Sequence, residues 1–168
     1  RKEFDTGLSS FNLAMGSAAF YDWLRENPKL FRPDSIDYIH DPARIGKLSR
    51  VISINGGVQV DLMGQENAES ANGMQLSGIG GQMDFLEGAF RSEGGCGYIC
   101  INSSRLTKDG VRKSNILPFI PGGSTVSAPR TLIEAVATEY GIAHLAGKSL
   151  AERREADRKS VVRERVCQ

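Results

Sequence analysis

Three glycines fall within four residues at Gly78-Ile79-Gly80-Gly81, and an amide side chain, Gln82, follows at once. An apolar, helix-compatible run from Met83 to Phe90 comes next. Glycine is favoured where the backbone takes positive φ or lies close against a ligand. A glycine turn opening into a helix can aim several main-chain N–H groups at one point, and such a nest holds a phosphate, a carboxylate or a developing oxyanion. The same ten residues, Leu76 to Phe85, also suit a tight strand-to-helix turn that binds nothing, and both readings stay open on the stretch alone.

Other residues of chemical type are less telling. Gly147-Lys148-Ser149 resembles the end of a phosphate loop, but that loop needs four residues between its glycines, and Gly141 and Gly147 enclose five. Gly78-Ile79-Gly80-Gly81 does not complete a dinucleotide fingerprint, because Met83 stands where a glycine or alanine belongs. His40 beside Asp41 suggests a proton-transfer pair, yet sequence neighbours seldom face each other, and a surface histidine is the reading preferred. Cys96, Cys100 and Cys167 form an odd set without a second metal-ligating pair nearby, which points to reduced thiols and no bound metal.

The elements that must position these groups alternate in type. Ser17 caps a helix over about 18–26 that ends at Asn27-Pro28, with Phe20, Tyr21, Trp23 and Leu24 as its buried side. Phe31 to Pro42 is extended and broken by two prolines. Val51 to Asn55 reads as a buried strand, Gly56-Gly57 as a hairpin turn and Val58 to Leu62 as its partner strand. Met63-Gly64-Gln65 turns, and Glu66 to Ser70 is a polar lead into the glycines. Beyond the helix at 83–90, Ser92 to Gly95 is a loop and Tyr98 to Ile101 a short strand. Lys108-Asp109-Gly110 is a turn, and Ser114 to Ile120 and Ser124 to Ser127 are further strands. Pro129 opens a turn of helix. Ile133 to Tyr140 suits strand or helix. Ser149, with Glu152 three residues on, is a capping box for a last helix. Strands interleaved with helices indicate an α/β or α+β domain.

The chain has 168 residues, 40% of them hydrophobic and 24% charged, with a net charge of +1. That composition fits one soluble domain with a proper core. Nothing in it selects nucleic acid as a partner, no apolar run is long enough to span a membrane, and no signal core follows the N-terminus. A cytoplasmic location is expected. The first residue is Arg1, not Met, which suggests a start within a longer protein.

Several stretches, in order, resemble one family. They are Met15-Gly16-Ser17 through Tyr21-Asp22-Trp23-Leu24; Asp41-Pro42; Val51-Ile52-Ser53-Ile54-Asn55; Val60-Asp61-Leu62 with Gly64-Gln65 and Asn67-Ala68-Glu69; Ser77-Gly78-Ile79-Gly80-Gly81-Gln82 with Asp84-Phe85; Pro129-Arg130; and Thr138-Glu139-Tyr140-Gly141-Ile142-Ala143. Together they resemble the C-terminal domain of acetyl-CoA hydrolases and CoA-transferases of the 4-hydroxybutyrate and butyrate type, over about residues 11–155. The resemblance implies an α/β fold, a mixed and mostly parallel sheet flanked by helices. It implies a domain over residues 1–156 that lacks its N-terminal partner, and a non-family tail over 157–168, a cloning or read-through junction with few core contacts.

It also implies a chemistry. In this family a glutamate carboxylate attacks an acyl-CoA thioester, giving a mixed anhydride and then a glutamyl-CoA thioester, from which CoA passes to a second carboxylate or is lost to water. The thioester oxygen gains negative charge at each step, so fixed N–H donors must face it. Gly80 and Gly81 are the candidates for that task. Asn55, Gly78, Gly80, Gly81 and Gln82 are candidates for binding coenzyme A, though Asn55 also reads, less favourably, as a turn-former before Gly56-Gly57. No metal is implied. The nucleophile lies upstream of the matched segment, so Glu66, Glu69, Glu87 and Glu139 are not at its position, and Glu139 is a structural or supporting group. His144 departs from the family, whose members often carry an acid there. The expected partners are an acyl-CoA, a small carboxylate, the missing N-terminal domain and a second copy in a homodimer. Two rival readings are a non-catalytic acyl-CoA or metabolite-binding module and a sugar-phosphate isomerase-like enzyme.

Overall fold

A computed structural model describes residues 2–161 of the chain, with side chains to residue 157. In chain order its strands begin with β1 (Ser9–Phe11), β2 (Phe31–Pro33), β3 (Ile52–Gly56), β4 (Gln59–Asp61), β5 (Glu66–Asn67), β6 (Ser70–Ala71) and β7 (Met74–Gln75). They continue with β8 (Cys96–Cys100), β9 (Ser104–Leu106), β10 (Arg112–Ser114), β11 (Ile116–Leu117), β12 (Ala135–Thr138) and β13 (Gly141–His144). The helices are α1 (Ala18–Glu26), α2 (Ile36–Ile39), α3 (Pro42–Ile45), α4 (Gln82–Arg91) and α5 (Leu150–Val161).

The central sheet has the order β13-β12-β8-β3. β3, β8 and β12 run parallel, with Ile54 opposite Tyr98 and Tyr98 opposite Ala135, and only β13 turns back. This is the mixed, mostly parallel sheet expected. α4 crosses from β3 to β8, so it runs against the strands and its N-terminus lies at the edge where the parallel strands end. Gly97 admits this packing, because a Cβ there would sit 2.8 Å from Leu86 Cδ2. Leu86, Ile99, Val136, Ala143 and Leu145 fill the space beneath the helix with Val60 and Ile116 from a second, three-stranded sheet, β11-β4-β5.

Several sequence expectations hold. Ser17 Oγ accepts from Phe20 N and starts α1. Ser149 accepts from Glu152 N while Glu152 accepts from Ser149 N at 2.8 Å, the reciprocal box at the start of α5. Ile133 to Tyr140 resolves as β12.

Others are corrected. β3 and β4 are not a hairpin: β3 pairs with β8, while β4 pairs with β5 and β11. The chain passes Gly57 from one sheet into the other, and Gly57 N donates to Cys100 O. β3 is an edge strand, with Ile52 and Ile54 52% and 69% exposed, not a buried one. No residue of α1 is buried. Its aromatics instead gather with each other and with β2, Trp23 lying 6.3 Å from Phe20 and 5.1 Å from Phe31. The proline-broken segment 31–42 is not extended throughout, for α2 and α3 begin within it. Residues 114–120 split at Asn115, whose side chain bonds Asn102 O. Residues 124–127 form no strand, and after Pro129 comes a turn closed by Leu132 N to Pro129 O. Asp157, the first residue of the expected tail, is fully buried; the side chains of the rest of that tail, Val161 to Val166 among them, lie outside the described residues. Among the described residues no helix is long and apolar enough to cross a membrane.

Candidate functional site

The glycine stretch is anchored at both ends and open between. At its start Leu76 N and Ser77 N donate to Glu69 O at 2.6 and 3.3 Å, and Gln75 Nε2 donates to Ser77 O at 2.6 Å. At its end Gln82, the first residue of α4, is buried and donates from Nε2 to Glu66 Oε2 at 2.5 Å. Between these ties, Gly78 and Gly80 are exposed with nothing within 4 Å of a built Cβ. Gly80 has φ +58°, in the region that glycine alone enters freely. Gly81 caps α4 without a side-chain acceptor. A helix leaves its first N–H groups without internal partners, and among the described residues no acceptor meets those of Gly78 to Asp84. The bend therefore presents N–H groups and the positive end of a helix dipole to solvent.

His40 is not a surface histidine. Its side chain is 15% exposed and Nδ1 lies 3.4 Å from Asp84 Oδ2 in the first turn of α4. The imidazole stands edge-on to Phe85 at 5.2 Å and against Gly81, where any side chain would collide with the ring. Asp41, its neighbour, does not face it but caps α3 through Ala43 N at 2.9 Å.

Asn55, the other candidate, is half-buried in β3, and its Nδ2 donates to Ser53 Oγ at 2.8 Å within the same strand. What lies near it was not legible beforehand. Where β3, β8 and β12 end, Gly57, Cys100, Ile101, Asn102, Ala137 and Thr138 line an open cleft of about 420 Å³. Ligands of open α/β sheets bind outside the carboxyl ends of the strands. At the same edge Glu139 accepts from Ser103 N and Oγ at 2.8 and 2.6 Å, and these bonds hold its carboxyl below the usual range.

Glu66 links the glycine bend to this edge. The sequence reads 66–70 as a polar lead into the glycines, but β5 is buried, and Glu66 and Asn67 have no exposure. Asn67 makes this possible: its Oδ1 accepts from Glu69 N and Ser70 N, and its Nδ2 donates to Ser70 O, so the turn's polar groups are satisfied away from water. The Glu66 carboxyl reaches Gln82 on one side and Gly57 on the other, where a Cβ would lie 2.7 Å from Oε1. Burial pushes the carboxyl up to about 7; the Gln82 bond opposes this and the Glu69 charge adds to it. Among the described residues no group of three or more His, Cys, Asp or Glu could hold a metal, and Cys96 and Cys100 are free thiols.

Comparison with known proteins now gives this arrangement a context. The sequence profile of the acetyl-CoA hydrolase/transferase C-terminal domain matches residues 16–156. Butyryl-CoA:acetate CoA-transferase of Anaerostipes caccae is 40% identical over 156 residues, 93% of this chain and 35% of that protein. The 4-hydroxybutyrate coenzyme A transferase of Clostridium kluyveri matches to the same extent, 40% over 156 residues, with the same shares of 93% and 35%. Among solved structures, RipA from Yersinia pestis superposes with a TM-score of 0.83 at 38% identity, over 97% of this chain and 36% of that one. A 4-hydroxybutyrate CoA-transferase from Porphyromonas gingivalis gives 0.75 at 34% identity, over 96% and 35%. The chain spans about a third of the length of these relatives. By profile, identity and fold alike, it belongs to the acetyl-CoA hydrolase/transferase family, as a C-terminal domain of that family.

Proposed function

We propose that this chain is the coenzyme A-binding part of an acyl-CoA hydrolase or CoA-transferase that moves CoA between carboxylic acids, or to water, through a glutamyl-CoA thioester. The observation that carries this reading is the open glycine bend, whose N–H groups find no acceptor at the start of α4. A carboxylate from polypeptide outside residues 1–168 attacks the thioester carbonyl, and the CoA thiolate leaves. The thiolate then attacks the glutamyl carbonyl of the anhydride and expels the first carboxylate. Each attack puts negative charge on a carbonyl oxygen, and the N–H groups of Gly80 and Gly81 are aimed to receive it. Asn55, Gly78 and Gln82 complete the binding set, the first through contact with the pantetheine or the carboxylate at the end of β3. The acyl-CoA, the small carboxylate, the upstream domain and a second copy of the protein are the partners, and the setting is the cytoplasm.

Gly78 is the position at which to test it. Its surroundings are open, whereas a side chain at Gly81 would displace His40. In Gly78→Asp a fixed negative charge competes for the same N–H groups. Calorimetry with coenzyme A should show weak binding to the 168-residue chain and a loss of about tenfold or more in the variant, with melting unchanged. Equal affinity in the two proteins would remove the bend from the site. The chain alone should release no CoA from acetyl-CoA at an enzymatic rate, and joining it to an upstream domain carrying a glutamate should restore turnover.

A further inference from the structure

Glu66 is a titratable group that the reaction above does not use, and its placement is costly. A buried carboxyl is expected to have both oxygens partnered. Oε2 takes the Gln82 amide at 2.5 Å, but Oε1 has no hydrogen-bond partner among the described residues. The side chain has no exposure, and it lies between Gly57, at the cleft where the parallel strands end, and the first residue of α4. A charged carboxylate here would be desolvated and would stand against Gln82, the first residue of the helix that the glycine bend opens.

We propose that Glu66 is a positioning residue of the site: as a neutral acid it tethers Gln82, and with it the first turn of α4, to the Gly57 edge, and when ionised it competes with the ligand's anionic oxygen for that turn's positive end. The inference rests on the reading of the bend as the oxyanion-holding element. Several charges surround the pair. Glu69, from the segment after β5, acts on Glu66 and opposes its ionisation. Asp84 stands in the first turn of α4, with His40 from the end of α2 against it. Among the described residues no cation acts on Glu66, so none there compensates a carboxylate. The raised pKa of about 7 agrees with a carboxyl that is neutral in mildly acidic solution and charged in mildly alkaline solution.

The test compares the 168-residue chain with its Glu66→Gln variant, which keeps the shape and the acceptor for Gln82 but cannot ionise. Coenzyme A affinity is measured by calorimetry at about pH 6 and about pH 8.5, on either side of the Glu66 transition. The wild type should bind about threefold or more weaker at the higher pH relative to the variant, and the two should agree at the lower pH. Ionisation of the ligand's own phosphates is common to both proteins and cancels. In parallel, the Gln82 side-chain amide resonances of the wild type should titrate with a midpoint near neutrality, and the backbone amides of 81–84 should follow. That movement should be absent in Glu66→Gln. The amide measurement on the wild type stands even where the variant folds poorly. A pH dependence equal in wild type and Glu66→Gln, or Gln82 resonances that do not titrate, would overturn the positioning role alone. No coenzyme A binding at either pH would overturn the reading of the bend, and the role with it.

Discussion

Removing a carboxyl from water raises the cost of its charge, and at Glu66 this cost has a sign that can be followed with pH. Its folded-state value of about 7 lies above the ordinary 4.5. A carboxyl raised in this way contributes stability that is fully present below the unfolded value and is lost as pH rises through the folded one. Glu66→Gln should therefore match the wild type near pH 4.5 and become the more stable protein above neutrality, by about 3 kcal/mol at most. Urea unfolding at several pH values measures the difference; a variant less stable at high pH would contradict it. Asp157 acts in the same direction, because burial and the nearby Asp61 charge push it up to about 7, with Arg153 opposing. Both groups should thus draw stability down as pH rises from about 5 into mildly alkaline solution.

At the scale of elements, close approach and capping set the energies. α4 lies against α3 at Gly88, where an added methyl would run into Ile45. Gly88→Ala should cost about 1–3 kcal/mol through overpacking, despite the better helix propensity of alanine. Ser149→Ala removes the hydroxyl that accepts from Glu152 N and donates to Glu152 Oε2, leaves the main-chain half of the box, and should cost about 1 kcal/mol. Both are read from thermal or denaturant midpoints. These local devices were also what the sequence disclosed best. Ser17, Ser149 with Glu152, and the glycines before α4 act over three or four residues, so spacing alone located them. Partners far apart in the chain were hidden. Gly56-Gly57 looked like a hairpin because nothing local reveals that β3 pairs with Cys96–Cys100 some forty residues on. Glu66 reads only as part of a polar lead because its burial depends on Asn67, Ala128 and Gln82 together. His40 was assigned to the surface because Asp84 and Gly81 meet it only when α4 is in place.

At the scale of the whole molecule, the core lies on one face of the central sheet and the other face is thinly covered. The exposed positions Ile52, Ile54 and Ile142 alternate with core-facing Ser53 and Ala143 along β3 and β13. Relatives about three times as long have further polypeptide with which to meet such a surface. β3 also ends the sheet, so among the described residues one side of its main chain has no neighbouring strand. A border of that kind, set between two outward isoleucines, is a template for a copy of itself. Concentrated solutions of the isolated chain should turn cloudy by lateral zipping, and a lysine in place of Ile54 should keep them clear.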